Sequence, residues 1–317
     1  MPKVSIIGAG DVGASIAYTL QLSGLATEIM LVDVDRDRAL GHVMDMNHGL
    51  FFTPPAHIAA GDYSDCSGSD LIIVTAGARQ RRNETRLDLV QKNVEIIKDV
   101  FKRARAFIGS AKILMVTNPV DVMTYVMLKI SGLEPNRIFG SGTVLDSARF
   151  RYQLSDRCTI DPRNVHAYVI GEHGDSEVLL WSQVRMAGLS MEAFCGACGR
   201  GCQGETRGLI EKEVRNSAYH VIEIKGFTNY GVSLAVRRIT TAVLRNELSV
   251  LTVSTLLDGE YGLHGVCLSV PCILGQGGVE RIVTGTLANE EEEGLRRSAG
   301  VIGSALHQLE GIALKER

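Results

Sequence analysis

The sequence predicts an α/β fold, a doubly wound parallel sheet followed by a second, α+β domain. Three observations point there. The first half alternates short β-branched runs with longer amphipathic stretches, as a parallel sheet flanked by helices reads. The run Leu71-Ile72-Ile73-Val74 is apolar throughout, as a strand covered on both faces must be. After about Ser141 this rhythm stops and gives way to long helical stretches and a late return to strands.

In chain order, residues 3–7, 28–32, 70–75 and 112–117 read as strands, and 14–22, 38–47, 87–107 and 120–131 as helices. A helix near 143–155 and a strand near 165–170 come next, then irregular sequence through Gly204. Helices follow at 205–225 and 230–245, with strands at 251–256 and 267–274. A charged helix from 289 to about 309 opens on Asn289 as its cap and on Glu290, Glu291, Glu292 and Glu293, which suit a helix N-terminus. No repeat, low-complexity tract or evident linker interrupts the chain. Two closely packed domains are therefore expected, 1–141 and 142–317.

Hydrophobic residues at 45% and charged residues at 22% are ordinary for a globular protein and argue against disorder. Thirty-three Lys and Arg against 36 Asp and Glu leave a net charge of -3, so no strong field recruits nucleic acid or an acidic membrane. A small-molecule partner is expected instead. No apolar run reaches the roughly 18 residues of a spanning helix, and Met1-Pro2-Lys3 leads straight into a strand, which points to the cytoplasm. Seven cysteines, an odd count without a compact framework, suit a reducing compartment. Cys195, Cys198 and Cys202 have a spacing that would supply three metal ligands. No His or fourth Cys follows closely, and their glycine-rich surroundings read as a surface loop, so no metal is expected.

Gly8-Ala9-Gly10-Asp11-Val12-Gly13 directly follows the first strand and opens the first helix. Such a turn lets backbone amides approach a pyrophosphate at the positive end of a helix, the Rossmann-type arrangement. Asp33 ends the second strand 20 residues beyond Gly13, where a carboxylate binds the adenine ribose hydroxyls. Its charge would repel a 2'-phosphate, so NAD is favoured over NADP. Arg36 and Arg38 nearby read as solvated charges at the start of a helix.

Removing hydride from an alcohol carbon leaves a proton for a base titrating near neutrality, which histidine provides. Of eight histidines, His42, His48, His57, His220, His264 and His307 read as structural or surface groups. His173 stands in Gly171-Glu172-His173-Gly174-Asp175-Ser176, which closely resembles the active-site segment of the L-lactate dehydrogenases, whose relatives include malate dehydrogenases. The resemblance spans nearly the whole chain. It covers Ile6-Ile7-Gly8-Ala9-Gly10, Thr75-Ala76-Gly77-Ala78-Arg79-Gln80, Thr117-Asn118-Pro119-Val120-Asp121, Leu145-Asp146-Ser147-Ala148-Arg149-Phe150-Arg151 and Leu268-Ser269-Val270-Pro271.

What the resemblance implies is specific. His173 would be the general acid and base, Asp146 the carboxylate orienting it, Arg149 the fork gripping a substrate carboxylate, and Arg86 the arginine polarising the reacting carbonyl. The polar segment 77–85 would be a lid, Asn118 a substrate contact and Thr228 part of the pocket. Val12, Arg38, Tyr63, Gly77, Ala78, Val116, Asn118 and Ser141 fall at positions that line the NAD site in the family.

The residue six before the polarising arginine reads the far end of the substrate, and here it is neutral Gln80 where malate enzymes have arginine. A second carboxylate would lack a partner there, so pyruvate and L-lactate are expected. Arg81 and Arg82 keep malate or a broader 2-oxo acid as the alternative, and Asn83 departs from a common glycine. Like bacterial relatives, the chain begins at its first strand, without the N-terminal arm of vertebrate ones. A homotetramer is expected by the same resemblance. Arg151 and His166 match positions that bind fructose 1,6-bisphosphate in many bacterial enzymes, which makes that ester a candidate effector. A non-catalytic dinucleotide-binding protein would show a sound glycine turn beside a damaged active site. Here His173, Asp146, Arg149 and Arg86 are all present.

Overall fold

A computed structural model describes residues 2–78, 86–198 and 205–310, with Arg86, Cys198 and Glu310 in backbone only. The first half runs β1 (Lys3–Ile7), α1 (Asp11–Ser23), β2 (Glu28–Val32), α2 (Arg36–His48), β3 (His57–Gly61), β4 (Leu71–Val74), α3 (Arg86–Ala104), β5 (Lys112–Met115), α4 (Val120–Ser131) and β6 (Ile138–Gly140). The second half runs α5 (Val144–Cys158), β7 (Val165–His166), β8 (Val169–Ile170), β9 (Val178–Leu179), β10 (Arg185–Met186), β11 (Leu189–Ser190) and α6 (Met191–Cys198). It continues through α7 (Glu205–Lys225), α8 (Tyr230–Leu244), β12 (Ser249–Asp258), β13 (His264–Gly275), β14 (Gly278–Ile282) and α9 (Asn289–Glu310).

The main sheet has the order β14-β13-β12-β6-β5-β4-β1-β2-β3, and the six strands from β6 to β3 are parallel. Winding starts at β1 and proceeds outward in both directions, so Ile7 is flanked by Val32 on one side and Val74 on the other. Helices leaving β1 and β4 toward opposite faces open a crevice at the carboxyl ends of these strands, the place where such sheets bind ligands.

The second half does not build a separate large sheet. β12 meets β6 through the pair Ser254 and Gly140, so the antiparallel β12–β14 ribbon extends the parallel sheet to nine strands. A Cβ at residue 140 would lie 2.6 Å from Thr124 Oγ1 and 2.9 Å from Ser254 Cβ, and only glycine admits this approach. One core accordingly runs from Val4 and Ile73 through Phe139 to Leu268 and Leu306. A second, smaller core packs Phe150 and Leu154 of α5 against Trp181, Met186 and Val214.

β1, β2, α4 and α7 occupy the ranges read from sequence, while other elements differ for local reasons. β3, β6 and β14 were not legible: β3 is an alanine-rich edge, β6 has three residues, and β14 is a charged edge strand. The strand expected at 165–170 is two strands with different partners, β7 beside β10 and β8 beside β9. The stretch expected to be irregular holds β9, β10, β11 and α6. Asn289 is the first residue of α9 rather than its cap. The Ala288 carbonyl accepts from Glu292 N, and Glu291 reaches back to Ala288 N at 2.9 Å.

α5 carries Asp146 and Arg149 and is held along its length. Thr143 Oγ1 donates to the Val169 carbonyl, Ser147 Oγ lies 3.0 Å from Thr252 Oγ1 and accepts from Val169 N, and Phe150 stacks edge-on against Trp181 at 4.7 Å. Phe150 is fully buried. Phe150→Ala is expected to lower unfolding free energy by about 3–5 kcal/mol, read as a fall in the denaturant midpoint; a loss under about 1 kcal/mol would show that this helix is anchored by its polar contacts alone.

Candidate active site

The glycine turn after β1 is built for close approach. Gly8 has φ +113, and a Cβ on Gly13 would fall 1.8 Å from the Gly8 carbonyl oxygen, so helix and strand meet at a distance that side chains forbid. No side chain caps α1 at Gly10, and a Cβ there would meet nothing within 4 Å. The helix end therefore faces open space with its backbone donors, as a pyrophosphate requires.

Asp33 locks this turn. Its Oδ2 accepts from Ala9 N at 2.5 Å and from Arg38 Nη2 at 2.9 Å, while Oδ1 accepts from Asp35 N. Arg38 is thus paired with Asp33 rather than freely solvated, and the carboxylate still offers acceptor capacity to ribose hydroxyls. A cavity of about 920 Å³ opens here, lined by Gly8, Gly10, Asp33, Arg38, Tyr63 and Gly77 and closed by Ile96 and Val100 of α3. Val12, Gly13, Ala78, Val116 and Ser141, also expected at the cofactor, do not line this cavity: the first two lie in α1 and the others past the ends of β4, β5 and β6. The α3 wall was not read from sequence. Helical periodicity marks Ile96 and Val100 as core residues, and only the fold turns them toward a cavity.

Elsewhere in the fold, α5 and the segment after β8 converge. His173 Nδ1 lies 2.5 Å from Asp146 Oδ2, and Arg149 Nη1 donates to Asp146 Oδ1 at 2.7 Å. Asp146 is 2% exposed, so its charge is shared between the two cations and little with water. Burial would lift Asp146, but the His173 ring and the Arg149 guanidinium hold it below the usual carboxylate range. Burial alone would lower His173, yet the charge and hydrogen bond of Asp146 raise it to about 9.

The His173 segment is pinned from several sides. Gly171 exchanges two backbone hydrogen bonds with Ser269 of β13, Glu172 N donates to Ser298 Oγ, and His173 N donates to Asp121 Oδ2 at 2.8 Å. Asn118, at a cis peptide before Pro119, has its carbonyl held by Asn93 Nδ2, and Asn93 Oδ1 accepts from Ala78 N at 2.7 Å. Asn93 thus ties the start of the expected lid to the Asn118 loop. Thr228 sits half-buried between α7 and α8. Glu177, buried behind the trio, is raised to about 8 by burial and by the charge of Asp146.

Asn93 and Glu177 escaped the sequence reading, because nothing in their local pattern marks them, and Asp121 was quoted only as the end of the Thr117–Asp121 motif, with no role attached. Arg86 begins α3, and its side chain is outside the description. Gln80, Arg81, Arg82 and Asn83, with the rest of the expected lid beyond Ala78, lie outside the described residues, as does Cys202. Cys195 is buried in the smaller core. Arg151 Nε donates to the carbonyl of Ala167, the residue that follows exposed His166.

The family model described as "lactate/malate dehydrogenase, NAD binding domain" matches residues 2–140, and that described as "lactate/malate dehydrogenase, alpha/beta C-terminal domain" matches 143–311. The chain belongs to the lactate/malate dehydrogenase family. Within that family it is 52% identical to an L-lactate dehydrogenase of Thermoanaerobacter sp. (strain X514), covering 98% of this chain and all of the relative. It is 50% identical to one of Acetivibrio thermocellus, covering 97% of each. The crystal structure of MGS-M5, a lactate dehydrogenase from a Medee basin deep-sea metagenome library, superposes with a TM-score of 0.95 at 40% identity, over 98% of this chain and 99% of that one. The minor L-lactate dehydrogenase of Enterococcus mundtii gives 0.94 at 35%, over 97% and 98%. As a lactate/malate dehydrogenase family member the protein is an oxidoreductase with NAD as cofactor, and the glycine turn, Asp33 and the open helix end fit that cofactor.

The raised His173 has a thermodynamic sign. Its folded pKa of about 9 lies above the ordinary 6.5, so the pair with Asp146 contributes its full stability below about pH 6.5 and loses it as pH rises through about 9. An NMR titration of the folded protein should place the His173 midpoint well above 6.5, and Asp146→Asn should bring it down by more than about 1 pH unit. An unchanged midpoint would show that Asp146 is not what raises the ring.

Proposed function

We propose that the protein is an L-lactate dehydrogenase of the cytoplasm, catalysing reversible hydride transfer between NADH and pyruvate to give L-lactate and NAD+, the step that regenerates NAD+ for glycolysis in fermentation. The observation that carries the reading is the contact of one buried carboxylate, Asp146, with both the His173 ring and the Arg149 guanidinium. Residues 1–141 form the NAD-binding domain and 142–317 the substrate domain.

When bound in the crevice, NADH supplies the hydride that reaches the carbonyl carbon. The protein supplies the rest. Arg149 grips the pyruvate carboxylate through its planar fork and fixes the carbonyl beside His173. His173, charged at neutral pH, donates its proton to the carbonyl oxygen as negative charge develops there, and Asp146 stabilises the cation before transfer and holds the ring afterwards. Arg86 adds positive charge at the same oxygen from the head of α3, with Asn118 as a further contact, while Thr228 and Gln80 line the substrate pocket. In the reverse direction His173 must first lose its proton, so lactate oxidation rises with pH where pyruvate reduction falls.

No helix among the described residues is long and apolar enough to cross a membrane. Support for a homotetramer comes from exposed apolar side chains, Phe51 and Phe52 beyond α2 and Ile224 and Tyr230 around the α7–α8 connection, of which Phe52 and Tyr230 line one groove. The two basic residues Arg151 and His166, with Arg151 bonded to the main chain next to His166, support fructose 1,6-bisphosphate as an effector.

Turnover of pyruvate with NADH should exceed that of oxaloacetate by about 100-fold or more, the penalty for an unpaired second carboxylate. Comparable oxaloacetate reduction would overturn the lactate assignment, and Gln80→Arg should move preference toward oxaloacetate. Asp146→Asn should lower kcat for pyruvate by about 100-fold or more; a loss under tenfold would remove it from the acid–base step. Pyruvate saturation curves, with sedimentation alongside, should show fructose 1,6-bisphosphate lowering the pyruvate requirement of a four-chain species. Indifference to the ester at low pyruvate would remove the effector, and a monomer would remove the assembly.

A further inference from the structure

Asp121 is a buried carboxylate for which the reaction above has no task. It stands in the first turn of α4, 1% exposed. Oδ2 accepts the backbone N–H of His173 at 2.8 Å. The carboxylate's only well-formed side-chain hydrogen bond among the described residues is this one; the Ser254 hydroxyl on β12 stands close enough to Oδ1 to favour the charged form without reaching full hydrogen-bond geometry. A neutral acceptor such as an asparagine carbonyl would satisfy one backbone amide at much lower desolvation cost than a buried carboxylate. What a carboxylate adds is charge, and the group placed to use it is the His173 ring.

We propose that Asp121 is a positioning residue for proton transfer: it pins the main chain of His173 to α4 and supplies the imidazolium with a second negative charge beside that of Asp146. The inference rests on His173 being the acid–base group. Asp146, on α5, holds the ring through Nδ1, whereas Asp121, on α4, holds the backbone of the same residue. Anchors on two helices fix both the place and the tilt of the ring.

The electrostatic surroundings agree with this division. Burial lifts the Asp121 carboxyl to about 6, against the pull of the Ser254 hydroxyl and then of its contacts with His173, so it is ionised at neutral pH and above. There its charge adds to that of Asp146 in raising His173. The titratable and charged groups facing Asp121 are His173 and Glu172 from the segment after β8 and Cys267 from β13, a thiol that burial keeps neutral. Facing His173 besides are Asp146 and Arg149 from α5 and Glu177.

The test compares the pH profiles of kcat/KM for pyruvate, with NADH saturating, in the parent, Asp121→Asn, Asp121→Ala and His173→Asn. Asparagine keeps an oxygen for the amide but loses the charge, so the alkaline limb should move down by about 1 pH unit with a kcat loss of about threefold. Alanine loses both, so the same shift should come with a kcat loss of more than about tenfold, while KM, set chiefly at Arg149, changes little. Both variants test the charge, so the shift is read from whichever melts cooperatively. An alkaline limb that coincides with the parent's sinks the inference, whatever happens to the rate. A His173→Asn enzyme that keeps the parent's turnover and pH limb shows instead that the acid–base assignment has failed.

Discussion

A carboxylate buried between a guanidinium and an imidazole sets the terms for the rest of this chain. Asp146 is almost wholly withdrawn from water, and its desolvation is offset only while Arg149 and His173 both stay in contact with it. Arg149 lies one turn along the same helix, so its place follows from helical geometry. His173 comes from a segment 27 residues away, and that contact has to be held by the fold. The fastening of α5 to β8 and β12, the bridge of Gly171 to β13 and the bond from Glu172 to α9 all serve that requirement.

The same sheet that fixes the trio also creates the cofactor crevice. Winding outward from β1 leaves an opening at the carboxyl ends of β1 and β4, with β5 and β6 continuing the parallel sheet beside it. Strand order and the lengths of short strands therefore set where this crevice opens in the sheet. The pairing of Asp33 with Ala9 N extends this economy, since one carboxylate both ties the turn to β2 and keeps acceptor capacity for a ribose.

Legibility in the sequence followed the range of the physical signal. The glycine turn, β1, β2, α4 and α7 were readable because period, capping and turn chemistry act within a few residues. β3, β6 and β14 exist because a neighbouring strand offers an edge, which local sequence does not announce. The trio was found through motifs, and composition alone would have left Asp146 as one of many helix-surface carboxylates. Asn93 carried no such signal, and Asp121, although it ends the Thr117–Asp121 motif, had no role read for it: their meaning lies in bonds to residues 15 and 52 positions away. The helix start at residue 289 misled for a related reason, since a glutamate three residues into a helix can reach back as effectively as an asparagine standing before it.

The junction of β6 with β12 bears on how such a chain can be divided. Its two halves, although each answers to its own family model, share one continuous sheet and one apolar interior across residues 140–143. A fragment ending there would leave β6 as an unguarded edge, with Phe139 and Met115 robbed of cover from the ribbon that follows. Recombination at this boundary thus exchanges halves of a single folding unit, and chimaeras between relatives should tolerate it only where the incoming ribbon keeps the small residue contact at Gly140.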